Sequence, residues 1–416
     1  MKTYLKYISP FLVFSLSVNL WIGCEKVNQT VMTGLDIIEK NNFSQLTGKR
    51  VGLITNRTGI NKDGIQNIDL LIEAEISLKA IFSPEHGFYG KIDAGKKVQS
   101  SMNHYYGVPF YSLYGETKSP TNEMLNELDV LLYDIQDVGL RSYTYISTMG
   151  LAMEAAGRNE IEFIILDRPN PINGIRMEGT ILHKNFESFI GKFPIPYIYG
   201  LTSGELGIII NEQKWIGTKC ELNVIKMQNW SRNMSWGDTR LNWVPPSPNV
   251  PNPKTPLFMA STGILGELGV LSVGIGTEYP FEFIGAPWIS KSIITQRLNN
   301  LFLEDVSFDA LTLTPKKGLY KGQEIHGVRI LYNKNDLLSL MLIQFYFLGV
   351  HNELYPEKNP FLLASKNQIS MFDKALGTDL IRKQFVNSFN PEDIKPILCP
   401  DLINFKNMIE PFLLYE

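Results

Sequence analysis

The sequence predicts an α/β protein, a mostly parallel sheet domain followed by a smaller α+β domain. Three observations carry this. Short apolar runs alternate with helical stretches through the first half of the chain. Each of the main runs leads into an unusual polar loop. A stretch with six prolines, VPPSPNVPNPKTP at residues 244–256, then breaks the pattern, and a different one follows. Near-continuous apolar strands alternating with helices are the mark of a parallel sheet covered on both faces.

The elements follow in order. Arg50–Thr55 (RVGLIT) is a short apolar strand, residues 65–75 can form a helix, and 78–83 (LKAIFS) is a second strand. Residues 108–114 read as extended, and Thr121 is placed to start a helix over 121–128. Residues 129–135 (DVLLYDI) and 161–167 (IEFIILD) are buried strands, joined by an amphipathic helix over 143–158 that Gly157 and Asn159 close. A helix over 203–215 and a strand over 222–227 complete the sheet domain. The prolines at 244–256 exclude a regular helix or central strand and predict a linker that also lines a cleft. Beyond it come a glycine-rich segment (263–276), strands at Val306–Leu313 and Ile325–Tyr332, a core helix over 337–348 that Gly349 stops, and a helical tail. The expected boundaries are 24–243, 244–256 and 257–416.

The first 23 residues read as a lipoprotein signal peptide. Lys2 and Lys6 precede a short apolar run, and Cys24 follows Ile22-Gly23 directly. Cys24 is therefore the expected site of lipidation, and the cell envelope the expected location, with the membrane met through the lipid anchor only. Cys220 and Cys399 either pair in an oxidising compartment or remain buried thiols.

Several function classes drop out. A formal net charge of −3 gives no basic field for nucleic acid. The turn after the first strand, TNRTGINKDG, has no G-x-G-x-x-G, and no P-loop sequence occurs. The five histidines (86, 104, 183, 326 and 351) form no HExxH or HxH, so a catalytic metal is not expected.

In an open parallel sheet the loops at the strands' carboxyl edge meet the ligand. Here they supply carboxylates (Glu85, Asp137, Asp167), amides (Asn56, Gln136, Asn170), guanidiniums (Arg57, Arg141, Arg168) and the imidazole of His86. Aromatic residues, among them Tyr114, Tyr143 and Tyr145, lie close by. Carboxylates among aromatics and amides suit a sugar site, where one carboxyl protonates the leaving oxygen and another acts as base or nucleophile. Glu85, in a loop beside His86, is the leading proton donor. Asp137 and Asp167 equally suit caps or partners for the neighbouring arginines.

The same loops carry a family resemblance. TGLDIIEKNNF, GKRVGLITNRTGI, FSPEHGFYG, AGKKVQSS, PFYSLYGETKSPT, LLYDIQDVGLRSYTYISTMGLAMEAA, LDRPNPINGIRMEG, YGLTSGEL, WVPPSPNVP and PFEFIGAPW resemble the bacterial exo-β-N-acetylmuramidase family of NamZ type. The resemblance spans residues 31–416. It implies a Rossmann-like domain, a smaller α+β domain, and exo-lytic release of N-acetylmuramic acid from the non-reducing ends of peptidoglycan fragments, with no cofactor. It also implies Glu85 as catalytic acid and Glu178 as the second carboxylate, with Glu278 and Glu282 as competitors. Asn56, His86, Asp137, Arg141, Asp167, Arg168 and Asn170 fall in the matched cleft motifs as substrate-binding residues. Arg141 or Arg168, with Arg57 third, is expected to hold the lactyl carboxylate that distinguishes the muramyl sugar. The family's arginine in the glycine-rich segment is replaced at or near Ile275, which bears on substrate preference. A non-catalytic glycan-binding lipoprotein and a hydrolase of another amino sugar are the rival functions, and a homodimer is left open.

Overall fold

The computed structural model describes residues 29–103, 106–333, 339–398, 400 and 402–416; Cys24 and its signal lie outside them, as does Cys399. Ten strands form two sheets. They are β1 (Arg50–Thr55), β2 (Ser77–Ser83), β3 (Ser101–Asn103), β4 (Val108–Ser112), β5 (Val130–Asp134), β6 (Glu162–Leu166), β7 (Leu222–Ile225), β8 (Phe283–Ala286), β9 (Val306–Leu313) and β10 (Ile325–Tyr332). The first sheet has the order β3-β4-β2-β1-β5-β6-β7. All of its pairings are parallel except β3 with β4. Without the edge strand β3, this is the doubly wound Rossmann order, which reverses between β1 and β5.

Period-two alternation explains the continuous apolar runs. On β5, Leu131 and Tyr133 point into one core, whereas Val130 and Leu132 point into another on the opposite face. On β6, Phe163 and Ile165 join the first core, and Ile164 and Leu166 the second. Both faces are buried, so the central positions are apolar on each side, and only Asp134 and Glu162 at the strand ends are charged. The first core continues without a break into the C-terminal half, taking in Ile264, Phe345, Phe372 and Phe405. The second sheet, β8-β10-β9, is antiparallel.

The helix after β5 runs Tyr145–Arg158 and ends on Asn159. The helix after β6 runs Ser203–Glu212 behind a Thr202–Glu205 capping box. The stretch expected at 121–128 is a single turn, Asn122–Leu125. Gly349 stops nothing: the helix Ile343–Leu354 runs through it. A side chain there would meet the Phe389 carbonyl at 2.7 Å, so this glycine serves close packing rather than termination. Cys220 is a buried free thiol. Among the described residues no helix is long and apolar enough to cross a membrane.

Candidate active site

The loops after β1, β2, β5 and β6 gather at the carboxyl edge, around the point where the strand order reverses. The C-terminal half packs over this edge and leaves a partly open cavity of about 190 Å³. The loop after β2 contributes Glu85 and His86, and the loop before the helix Tyr145–Arg158 contributes Ser142, Tyr143 and Thr144. Ser247 and Val250 of the proline-rich segment form another wall. Met259 and Gly263 of the helix Thr255–Gly266, and Glu267 that caps it, complete the enclosure.

The proline-rich segment is held to the sheet by its carbonyls. Arg57 Nε donates to Pro245 O at 2.7 Å, and the Tyr145 hydroxyl to Pro246 O at 2.7 Å. Asn56 Nδ2 donates to the Tyr145 oxygen at 3.1 Å, so Asn56 braces this wall from behind.

Glu85 is 6 % exposed. Its Oε1 accepts from Gly95 N at 2.8 Å and its Oε2 from the Thr144 hydroxyl at 2.7 Å. Tyr114 lies beside it; burial and then the Glu85 charge push the Tyr114 hydroxyl up to about 12. Glu267 is the other carboxyl in the cavity wall. Among the described residues no group hydrogen-bonds its carboxylate, and burial pushes its carboxyl up from the ordinary range. Sequence reasoning missed it. It follows a helix rather than a strand, and only the folding of one half over the other places it in the wall.

Of the residues expected in the site, Glu85 and His86 line the cavity and the others do not. Glu178 is held by Arg176 Nη1 at 2.5 Å and by the Ser339 hydroxyl at 2.8 Å, away from Glu85. Arg176 and Glu282 line a separate groove of about 780 Å³, where Glu282 accepts from Arg329. Glu278 is exposed.

Arg141 is wholly buried. Its guanidinium donates to the carbonyls of Thr180 (2.7 Å), Ile195 (2.6 Å) and Ala375 (3.0 Å), which ties the two halves together and keeps it from the cavity. Burial without a carboxylate partner brings it down to about 10. Arg168 pairs with Asp134 at 2.6 Å and donates to Ile60 O. The expectation that either arginine meets a lactyl carboxylate is therefore corrected: both are occupied by the fold.

Asp167 is saturated. It accepts from Arg168 N, Gly204 N and the hydroxyls of Thr202 and Tyr415, and so anchors the helix after β6. Asn170 braces its own loop, donating to Leu201 O and accepting from Ile172 N. Gly139 lies so close to Asn170 Oδ1 that a Cβ there would sit 2.4 Å away, and its φ of +80° favours glycine as well. Asp137 accepts from Gly139 N and the Tyr199 hydroxyl, while its Oδ1 is buried without a partner. Burial pushes Asp137 up to about 6. Among the described residues no group of three His, Cys, Asp or Glu side chains is placed to hold a metal ion.

Two family models match almost the whole described chain. Exo-beta-N-acetylmuramidase NamZ, N-terminal, matches residues 51–254, and its C-terminal counterpart residues 257–415. The chain belongs to this family. It is 39% identical over 420 residues, all of both chains, to the peptidoglycan beta-N-acetylmuramidase NamZ of Bacillus subtilis (strain 168). Among solved structures, a DUF1343 family protein from Bacteroides fragilis NCTC 9343 superposes with a TM-score of 0.88 at 41% identity, covering 93% of this chain and 99% of that one. A second from the same organism gives 0.73 at 28% identity, with the same coverage. The NamZ family thus joins a Rossmann-like sheet to an α+β half, and the cavity lies where they meet.

Proposed function

We propose that the protein is an exo-acting glycoside hydrolase that releases N-acetylmuramic acid from the non-reducing ends of peptidoglycan fragments. One observation carries the reading: two carboxyl groups from opposite halves of the chain, Glu85 and Glu267, line one tyrosine-walled pocket. The relative in Bacillus subtilis bears the name of this activity. A cavity of about 190 Å³ suits one terminal sugar and not a polymer laid across it, which favours exo-action.

The two carboxyls differ in surroundings, and the difference divides their roles. Glu85 accepts from two donors, a pattern suited to a carboxylate. Glu267 has no such donors and is raised by burial, a pattern suited to an acid. In this scheme Glu267 protonates the leaving glycosidic oxygen as the bond to the anomeric carbon breaks. Glu85 either attacks the anomeric carbon, giving a glycosyl ester that water then hydrolyses with Glu267 as the base, or deprotonates the water that attacks directly. This reverses the role expected for Glu85 and replaces Glu178 by Glu267. At the cell envelope, lipidation of Cys24 would hold the enzyme among its substrates. Release of the sugar from a chromogenic N-acetylmuraminide tests the activity, and its absence from purified, folded protein overturns the reading in favour of a glycan-binding role.

A further inference from the structure

We propose that His86, as an imidazolium, receives the lactyl carboxylate of the bound sugar. The inference rests on the muramidase reading above and names the group that gives it specificity. N-acetylmuramic acid and N-acetylglucosamine differ by a lactyl ether whose carboxylate, once out of water, requires charge-assisted hydrogen bonds. Arg141 and Arg168 are occupied, and the Arg57 Nε is turned to Pro245 O. No lysine or arginine lines the cavity among the described residues, and His86 is the one lining side chain there able to carry a positive charge.

The imidazole is set in place from both ends. Nδ1 lies 2.7 Å from Ile92 O. A carbonyl only accepts, so Nδ1 carries the proton, and Nε2 can donate only when the ring holds a second one. The backbone of His86 has φ +70°, a left-handed conformation that is unfavourable for a non-glycine residue. Such a conformation persists where the surroundings fix it, as the Ile92 contact does here.

Tyr143 packs beside the imidazole: the residue is 6 % exposed, lines the cavity, and its ring centroid lies 6.5 Å from that of His86. Its hydroxyl is buried beside the hydroxyls of Ser247 and Tyr145. The charged groups around His86 are Glu85, Glu267 in the same wall, and Asp93, which is paired with Lys317.

Because Nε2 donates only from the doubly protonated ring, binding of the lactate takes up a proton. Calorimetric titration tests this with N-acetylmuramic acid and its lactyl methyl ester, in two buffers of different ionisation enthalpy at about pH 7.5, above the ordinary histidine range. The wild-type protein is expected to bind the free acid about ten- to a hundredfold more tightly than the ester, the range of one hydrogen bond to a charged group, and to take up a proton with the acid alone. His86→Asn, whose side chain tolerates positive φ, should lose both the preference and the uptake. Absence of proton uptake in the wild-type protein overturns the proposal without any variant, as does an unchanged preference in His86→Asn. Either result alongside hydrolysis of the muraminide sinks this proposal alone; failure of the wild-type protein to hydrolyse the muraminide sinks the functional reading.

Discussion

The Thr144 hydroxyl donates to Glu85 Oε2 at 2.7 Å, and so fixes a carboxylate of the loop after β2 against the residue that opens the helix after β5. These two loops lie on either side of the reversal of strand order, and the contact sets the Glu85 carboxylate within the cavity wall. Glu85→Gln is expected to lower muraminide turnover by at least about 10²–10⁴-fold with an unchanged circular dichroism spectrum. Thr144→Val should cost about tenfold or more, the worth of one hydrogen bond to a charged group. Near-wild-type kcat/KM in Glu85→Gln would remove it from the mechanism.

Glu267→Gln separates acid from nucleophile. A nitrophenyl leaving group needs little protonation, whereas the hydroxyl of a saccharide needs it fully. The variant should therefore lose on the order of 10²–10⁴-fold on a natural disaccharide but far less on the nitrophenyl muraminide. Equal losses on both substrates would return the acid role to Glu85.

Glu178→Ala probes the other carboxylate. Its removal breaks the ion pair with Arg176, whose side chain is 16 % exposed. Breaking such a pair costs roughly 3–5 kcal/mol when fully buried. The melting temperature should fall, while kcat/KM of the folded fraction stays near wild type. A stable, inactive Glu178→Ala would restore Glu178 to the site.

Asp137 gives a pH signature. Its carboxyl is raised by burial to about 6 in the folded protein, from 3.8 as the ordinary value. Between these values the folded state holds the proton more tightly than the unfolded state, so this group's contribution to stability is full below about pH 4 and is lost as the pH rises through 6. Each tenfold difference in proton affinity between the two states is worth about 1.4 kcal/mol. Asp137→Asn should show a shallower decline in urea midpoint across this window than the wild-type protein. Identical slopes would refute the assignment.

Cys24→Ser tests the anchor. Metabolic labelling with a fatty acid is expected in the wild-type protein and not in the variant. Labelling that survives the substitution places the modification elsewhere.

Much of the sheet was legible because burial on both faces leaves an unbroken apolar signature, as in VLLYD of β5 and EFIIL of β6. The three-residue edge strand β3 has no such signature, and β8 lies hidden in PFEFIGAPW, where a glycine interrupts it. The site was half legible. A polar residue after a strand is placed at the right edge, but its direction is decided by partners far along the chain. Glu85 and His86 turn into the cavity, whereas Arg141 turns to carbonyls at residues 180, 195 and 375. No local pattern distinguishes the two outcomes.

The bond from the Tyr415 hydroxyl to Asp167 Oδ2 joins residues 248 positions apart. The same tyrosine oxygen accepts from Met227 N, and Leu414 N donates to Glu205 Oε1, so the final residues lock the Rossmann-like half at β6 and its following helix. Contacts of such range form late, because loop-closure entropy must be overcome before they stabilise anything. A chain still being synthesised has its first sheet but not the clasp that secures it. Until residues 414 and 415 are in place, β6 and its following helix lack these partners, so final closure of the Rossmann-like half waits on a contact made from far along the chain.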